Sequence, residues 1–507
     1  MSTPRPSAAV APVETSSPLD PPGASGSNGM GRRDLARLVA TVVGLTALLR
    51  LPACFVDVFN SDEPFLATQA QVIRHGGDLY RQAADRKPPL VPSLYAGTFA
   101  LTGTTALWTV RVVAMLAVVA TALLLASEAR RRYGRRAMWL VAVLSVVATV
   151  ALAPQDGQAA NFEIFMLPFT VAAVVLARRD RPVGAGLAVA LATLAKQTGA
   201  AMLLPVWWLA WRRNGRRGVG FATLAFAVPL GAAAIVFGPR QLVYWTVLGN
   251  GSYVGLSSAS AHVVGLFAVM TFAWVACNIP ILWTVPRSWR DRRRTSLDGF
   301  PDTDLWLWVL GAVVSVAVGL RFFGHYYLQL VPPFALLSAG ALSRASTRAV
   351  RGTVALSLAS GLLFSAAGYF LTPFGGEPRY REVSRFLHDH TRPDDSVFVW
   401  GTVPEIYWSA DRRPATRYIA TASLVAGNHA GRTDTPPPSE IDPQIWRWFF
   451  RDLRAHPPKY VVDTTPSGVR GARRSPLSRY PKVQRYVDDH YRLDRRIDGY
   501  DVYVRNG

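Results

Sequence analysis

The chain has 507 residues, half of them hydrophobic and 17% charged, with a formal net charge of +22. Its 51 arginines and 4 lysines sit in short clusters between apolar runs, and those runs are about 20 residues long, as a ~30 Å hydrocarbon layer demands. This excludes a basic nucleic-acid binder and describes an α-helical polytopic membrane protein; Cys54 and Cys277, both in apolar segments, define neither a disulfide framework nor a zinc site.

Residues 1–31, rich in Pro, Ser, Ala and Gly, read as a disordered tail. Arg32, Arg33 and Arg37 then introduce the apolar run 35–56. It reads as a signal anchor, because it is long for a cleavable leader and no small-residue cleavage site follows. Further spans are expected at 107–128, 137–153, 162–177, 183–196, 198–211, 219–238, 262–286, 304–320, 327–343 and 352–371, eleven in all. Alternate loops carry the arginines, for example Arg130, Arg131, Arg132, Arg135 and Arg136, or Arg212, Arg213, Arg216 and Arg217. Loops 154–161 and 239–261 are nearly free of them. Positive charge stays inside, so a cytoplasmic N-terminus is expected, with loop 57–106 and the region 372–507 outside. The expected organisation is a tail 1–31, a membrane domain 32–371 and an extracytoplasmic α/β domain 372–507.

Region 182–211 tests this sidedness. A single long helix there would invert everything downstream. Two short passes keep every arginine cluster inside, and each spans roughly 21 Å at 1.5 Å per residue. The hairpin tip "AKQTG" is then recessed, under a water-filled or protein-lined cavity. In loop 57–106, "KPPLVPSLYAGTFALTG" is expected to lie as a helix on the outer surface. Beyond 372, "REVSRFLHDHT" reads as an amphipathic helix, and "SVFVWG", "YVVDT" and "DGYDVYVR" read as strands.

The ionisable residues placed outside by this topology are Asp62, Glu63, Asp78, Lys87, Arg111, Asp156, Glu163, Lys196 and His325, the last followed by Tyr326 and Tyr327. One or two carboxylates among several cations at a bilayer edge suit a sugar leaving a lipid-linked phosphate. The acceptor hydroxyl must lose a proton, which a carboxylate accepts. The leaving phosphate is a weak base and needs only positive charge, from Lys, Arg, His or a divalent metal. The paired acids of a glycosidase are not required. Adjacent Asp62 and Glu63 point about 100° apart on a helix, so one can reach substrate while the other holds the loop. An N-cap in "SDEP" is the competing role for both. An ionisable group at membrane depth, such as Lys196, points to function.

In order, "SDEPFLATQAQVIRHGGDLY", "KPPLVPSLYAGTFALTG", "ANFEIFMLPF", "LATLAKQTGA" and "GHYYLQLVPPFALL" resemble the bacterial branch of the GT-C glycosyltransferases, protein O-mannosyltransferases and aminoarabinose transferases among them. The resemblance implies a polyprenyl-phosphate-linked sugar as donor, a glycan, lipid or protein as acceptor, and work on the outer face. It implies catalytic roles for Asp62 and Glu63. It implies donor-phosphate binding by Lys87, and Glu163, Lys196 and His325 match positions often polar in such sequences. From their place at the outer membrane edge, Lys196, Arg111 and His325 are expected as further donor-phosphate cations, and Glu163, Tyr326 and Gln329 as substrate contacts. Arg86 stands where the aminoarabinose transferase pattern has an acid, which argues against a metal-binding role at that point. A non-enzymatic lipid-sugar transporter or flippase and a cell-wall glycan-binding scaffold are the alternatives. Missing internal repeats and the large outer domain weigh against the transporter.

Overall fold

The computed structural model describes residues 30–248, 261–291, 296–371, 378–421, 424, 439 and 441–507; the expected tail lies almost wholly outside them. Among the described residues, Arg32–Phe55, Leu107–Tyr133, Gln197–Phe237 and Thr347–Phe370 are helical stretches long and apolar enough to cross a membrane. A fifth candidate is the pair Val263–Cys277 and Ile279–Arg290, bent by 81°. The expected span 262–286 falls on this pair, and Pro280, which has no N–H to continue the ladder and clashes with the preceding turn, accounts for the bend. The side chain of Asn278 occupies the break and donates to the carbonyls of Ala151 (3.2 Å) and Trp274 (3.1 Å). These lengths make the chain a multi-pass membrane protein without fixing the number of crossings at eleven.

Gly215 splits the longest stretch. Its φ of 58° and ψ of −145° interrupt the helix Leu203–Phe237, in a region of backbone space that suits glycine. Trp207 Nε1 donates to Thr223 Oγ1 at 3.0 Å. Residues 16 apart in an unbroken helix lie ~24 Å apart, so the chain reverses at Gly215. A second reversal follows the helix Pro182–Ala195. Lys196 leaves it in extended conformation (φ −153°, ψ 132°) and enters the 3-10 turn Gln197–Met202. Gly199 permits this turn: a Cβ there would lie 2.4 Å from the carbonyl carbon of Ala192. The segment 182–211 is therefore a helical hairpin with Lys196 at its tip, and its first arm, Pro182–Ala195, packs against both Phe162–Arg178 and the helix Leu203–Phe237.

At the opposite end from that tip lies a buried charge network. Arg132 donates to Glu128 (2.7 Å) and, through two nitrogens, to Asp304 (3.1 and 2.5 Å). Arg178 bridges Asp298 (2.7 and 2.8 Å) and Asp304 (2.8 Å). Sequence reading treated both arginines only as markers of sidedness; here they lock three helices and the loop before Thr303–Ala317 together.

The described residues between 378 and 507 form a mixed sheet with helices against it. Its strands are β1 Ser396–Trp400, β2 Arg413–Pro414, β3 Tyr460–Asp463, β4 Tyr491–Ile497 and β5 Tyr500–Arg505, in the order β2-β1-β3-β5-β4. β1 lies parallel to β2 and β3, while β5 is antiparallel to β3 and β4. β1 and β3 are almost wholly buried, hence their unbroken apolar runs. β4, at an edge, is charged and largely exposed, which hid it from pattern reading and guards the edge against pairing. This unit shares a hydrophobic core with the first loop and the helix Pro239–Thr246: Leu79, Tyr80, Leu242 and Trp245 pack with Trp400, Tyr418 and Phe449. Gln71 also donates to Asp411 (2.9 Å), and Trp408 to the carbonyl of Thr105 (2.9 Å). The sheet unit and loop 57–106 thus sit at the same end of the bundle.

Candidate active site

Asp62 and Glu63 open the helix Asp62–Arg74. Its cap comes from Asn60, whose Oδ1 accepts the backbone N–H groups of Asp62 (3.0 Å) and Glu63 (3.4 Å). The two acids then diverge. Glu63 is fully buried and takes Arg111 in a bidentate pair at 2.8 and 2.6 Å. Its oxygens also accept the backbone N–H groups of Ala160 (2.9 Å) and Phe59 (3.3 Å). The remaining Arg111 donors go to the carbonyls of Ala53, Val56 and Asp57. A guanidinium has five N–H donors, and all five are spent inside the protein. Arg111 therefore has no donor left for a phosphate, and Glu63 has no free oxygen for an incoming hydroxyl. The expected donor-phosphate role of Arg111 and catalytic role of Glu63 give way to a clamp joining the first loop, the second span and the loop before Phe162.

The Asp62 side chain is 37% exposed, and its Oδ2 lies 4.0 Å from His325 Nε2. His325 is itself held from behind. Asp156 Oδ1 accepts its backbone N–H (3.0 Å) and lies 2.7 Å from Nδ1. That contact needs Gly324, because a Cβ there would come within 2.5 Å of Asp156 Oδ2. With Nδ1–H directed at Asp156, Nε2 faces Asp62. Burial disfavours the imidazolium, but Glu163, Asp156 and Asp62 outweigh it and hold the His325 pKa above its usual value.

Lys196 pairs with Glu163, both buried, and stands 3.6 Å above the Tyr326 ring. Lys87 lies 4.4 Å over the Phe162 ring, and Lys87, Lys196 and His325 all act electrostatically on Glu163. Gln329 accepts from Thr198 (3.2 Å) and donates to the Tyr326 carbonyl (3.2 Å), so it ties the hairpin tip to the turn bearing His325. A cavity of about 190 Å³ opens here, lined by Arg86, Lys87, Lys196, Gln197, Thr246 and Tyr326 among others. Its loop wall is anchored by Gln197 donating to the Arg86 carbonyl (2.8 Å) and Tyr80 to that of Lys87 (2.9 Å).

The fold thus gathers Asp62, Lys87, Glu163, Lys196, His325 and Tyr326, and sets Glu63 and Arg111 behind them. Asp156 was only one outer acid among several in the sequence. Its pairing with His325 spans 169 residues, and no local signal announces it. Among the described residues, no group of three or more His, Cys, Asp and Glu side chains converges to hold a metal ion.

A family model described as dolichyl-phosphate-mannose-protein mannosyltransferase matches residues 86–245. No curated protein matches the chain by sequence. Among solved structures it is similar to ArnT from Cupriavidus metallidurans bound to undecaprenyl phosphate, with 13% identity, 93% of this chain and 98% of that one covered, and a TM-score of 0.63. It is also similar to the oligosaccharyltransferase AglB from Archaeoglobus fulgidus in complex with an inhibitory peptide and a dolichol-phosphate, with 13% identity, 93% and 74% covered, and a TM-score of 0.54. At such identities the likeness is one of fold, and it identifies the architecture of this chain as that of the GT-C membrane glycosyltransferases.

Proposed function

We propose that the chain transfers a sugar from a polyprenyl-phosphate donor to an acceptor hydroxyl on the extracytoplasmic face, with inversion. The observation that carries this reading is an open carboxylate, Asp62, set 4.0 Å from His325 Nε2, with Lys196 and Lys87 lining the adjoining cavity. Asp62 accepts the proton of the attacking hydroxyl. The departing phosphate is stabilised by His325 Nε2–H and the two ammonium groups. Glu163 orients Lys196, and Asp156 orients His325. Undecaprenyl phosphate and dolichol-phosphate in the two similar structures support a lipid-phosphate donor. In this reading the arginine-rich loops and the N-terminus face the cytoplasm. The membrane part 32–371 and the unit 372–507 meet around the site on the outer face.

The test uses purified protein in liposomes. Asp62→Asn should lower release of polyprenyl phosphate by about 10²–10⁴-fold while donor binding and the unfolding midpoint stay unchanged. Native turnover in that variant overturns the assignment of Asp62. Donor crossing the bilayer without phosphate release favours a flippase instead.

A further inference from the structure

A second concave site lies on the sheet unit, apart from the cavity described above. Its volume is about 800 Å³, within the ~300–1,000 Å³ range of ligand pockets. One wall is the helix Pro443–Ala455 and the other the start of Pro481–His490. Phe449 and Leu453 of the first helix enter the core, while Trp446 and Phe450 line the cleft with Tyr480. The rings of Trp446 and Phe450 lie 6.2 Å apart at 31°, and those of Trp446 and Tyr480 5.8 Å apart at 42°. Arg447, Arg454, Lys482 and Arg485 line the same cleft, and none of the described lining residues is acidic. Gln444 accepts two hydrogen bonds from Arg447, at 3.1 and 2.7 Å, which orients its guanidinium.

We propose that this cleft binds an anionic glycan. Sugar rings present a C–H face that stacks on indole and phenyl rings, and the forked guanidinium suits carboxylate or phosphate groups. Aromatic residues between four cations match a chain carrying both features. A bilayer surface would call for apolar side chains that protrude; these are sunk between two helices. The cleft is also coupled to the transfer site. Trp448, on the same helix as Trp446, packs against Trp245 at 5.7 Å, and the neighbouring Thr246 lines the catalytic cavity and accepts from Gln197 through its carbonyl (3.4 Å). A polymer held in the cleft is thus tethered to the element that walls the active site. The proposal deepens the transferase reading by giving the acceptor a class, but its binding step does not depend on turnover.

The full chain in neutral-lipid nanodiscs is titrated by calorimetry with an oligogalacturonate, a neutral cello-oligosaccharide of equal length, and anionic phosphatidylglycerol vesicles. The oligogalacturonate should bind at least about tenfold more tightly than the neutral chain. Trp446→Ala and, independently, the exposed double variant Arg454→Glu/Arg485→Glu should each weaken it by about tenfold or more, the effect of losing one interface anchor. Binding of the lipid-linked donor should not change in either variant. Equal affinity for the neutral sugar, native affinity in the double variant, or binding of the vesicles alone overturns the proposal. Asp62→Asn is run alongside: loss of turnover with oligogalacturonate binding retained separates this site from the catalytic one.

Discussion

Replacing Glu63 by Gln tests the division of labour between the two adjacent acids. Glu63 is 0% and Arg111 2% exposed by side chain, so neither charge is screened by solvent. The wild-type pair makes two charge-assisted hydrogen bonds, and the carboxylate accepts two backbone N–H groups as well. Glutamine keeps one acceptor oxygen and turns an N–H₂ toward groups that can only donate. The guanidinium is left without its counter-charge. Breaking a buried pair from one side typically costs about 3–5 kcal/mol. Glu63→Gln should therefore lower the unfolding midpoint of the detergent-solubilised protein clearly, and transfer should fall because the loop carrying Asp62 loses its anchor. The double variant Glu63→Gln/Arg111→Met should recover part of that stability, since the unpaired charge is gone. Asp62→Asn should leave the midpoint alone and remove transfer. A Glu63→Gln protein as stable as the wild type, or one in which Asp62→Asn is the more destabilised, would refute the clamp.

Other expectations follow from the same geometry. The His325 pKa is raised, so its charge is complete below its ordinary range and disappears as pH rises through the raised value. Asp156→Asn should shift the alkaline limb of the kcat/KM profile to lower pH; an unmoved limb would remove Asp156 as its positioning partner. Gly199→Ala places a Cβ 2.4 Å from the Ala192 carbonyl carbon and should destabilise by about 1–3 kcal/mol, with transfer lost as Lys196 moves; thermal unfolding and turnover report both. Gly215→Ala forces a side chain onto φ 58°, ψ −145° at a cost of about 1–3 kcal/mol and favours one continuous helix. Cysteine labelling of loops on either side should then show mixed sidedness, and a uniform native pattern with an unchanged midpoint would count against the hairpin. Lys87→Gln should raise the KM for the lipid donor several-fold while leaving stability near native, as the cation rests on Phe162 at the cavity wall.

The membrane class was legible because helix length and apolarity are local quantities. So were the breaks at Gly215 and Lys196, marked by an arginine cluster and by a polar tip between short apolar runs. The strands Ser396–Trp400, Tyr460–Asp463 and Tyr500–Arg505 were visible for the same reason, whereas Tyr491–Ile497 reads as charged surface and becomes a strand only because its neighbour pairs with it. Within the site, the sequence supplied the residue types and placed most of them at one end of the bundle. It could not divide Asp62 from Glu63, because that depends on which side of one helical turn meets Arg111, 48 residues away. Nor could it join Asp156 to His325. Spacing along a chain encodes periodic, local geometry; which of several like charges is buried and which stays open is decided by long-range packing, and only the tertiary structure fixes that.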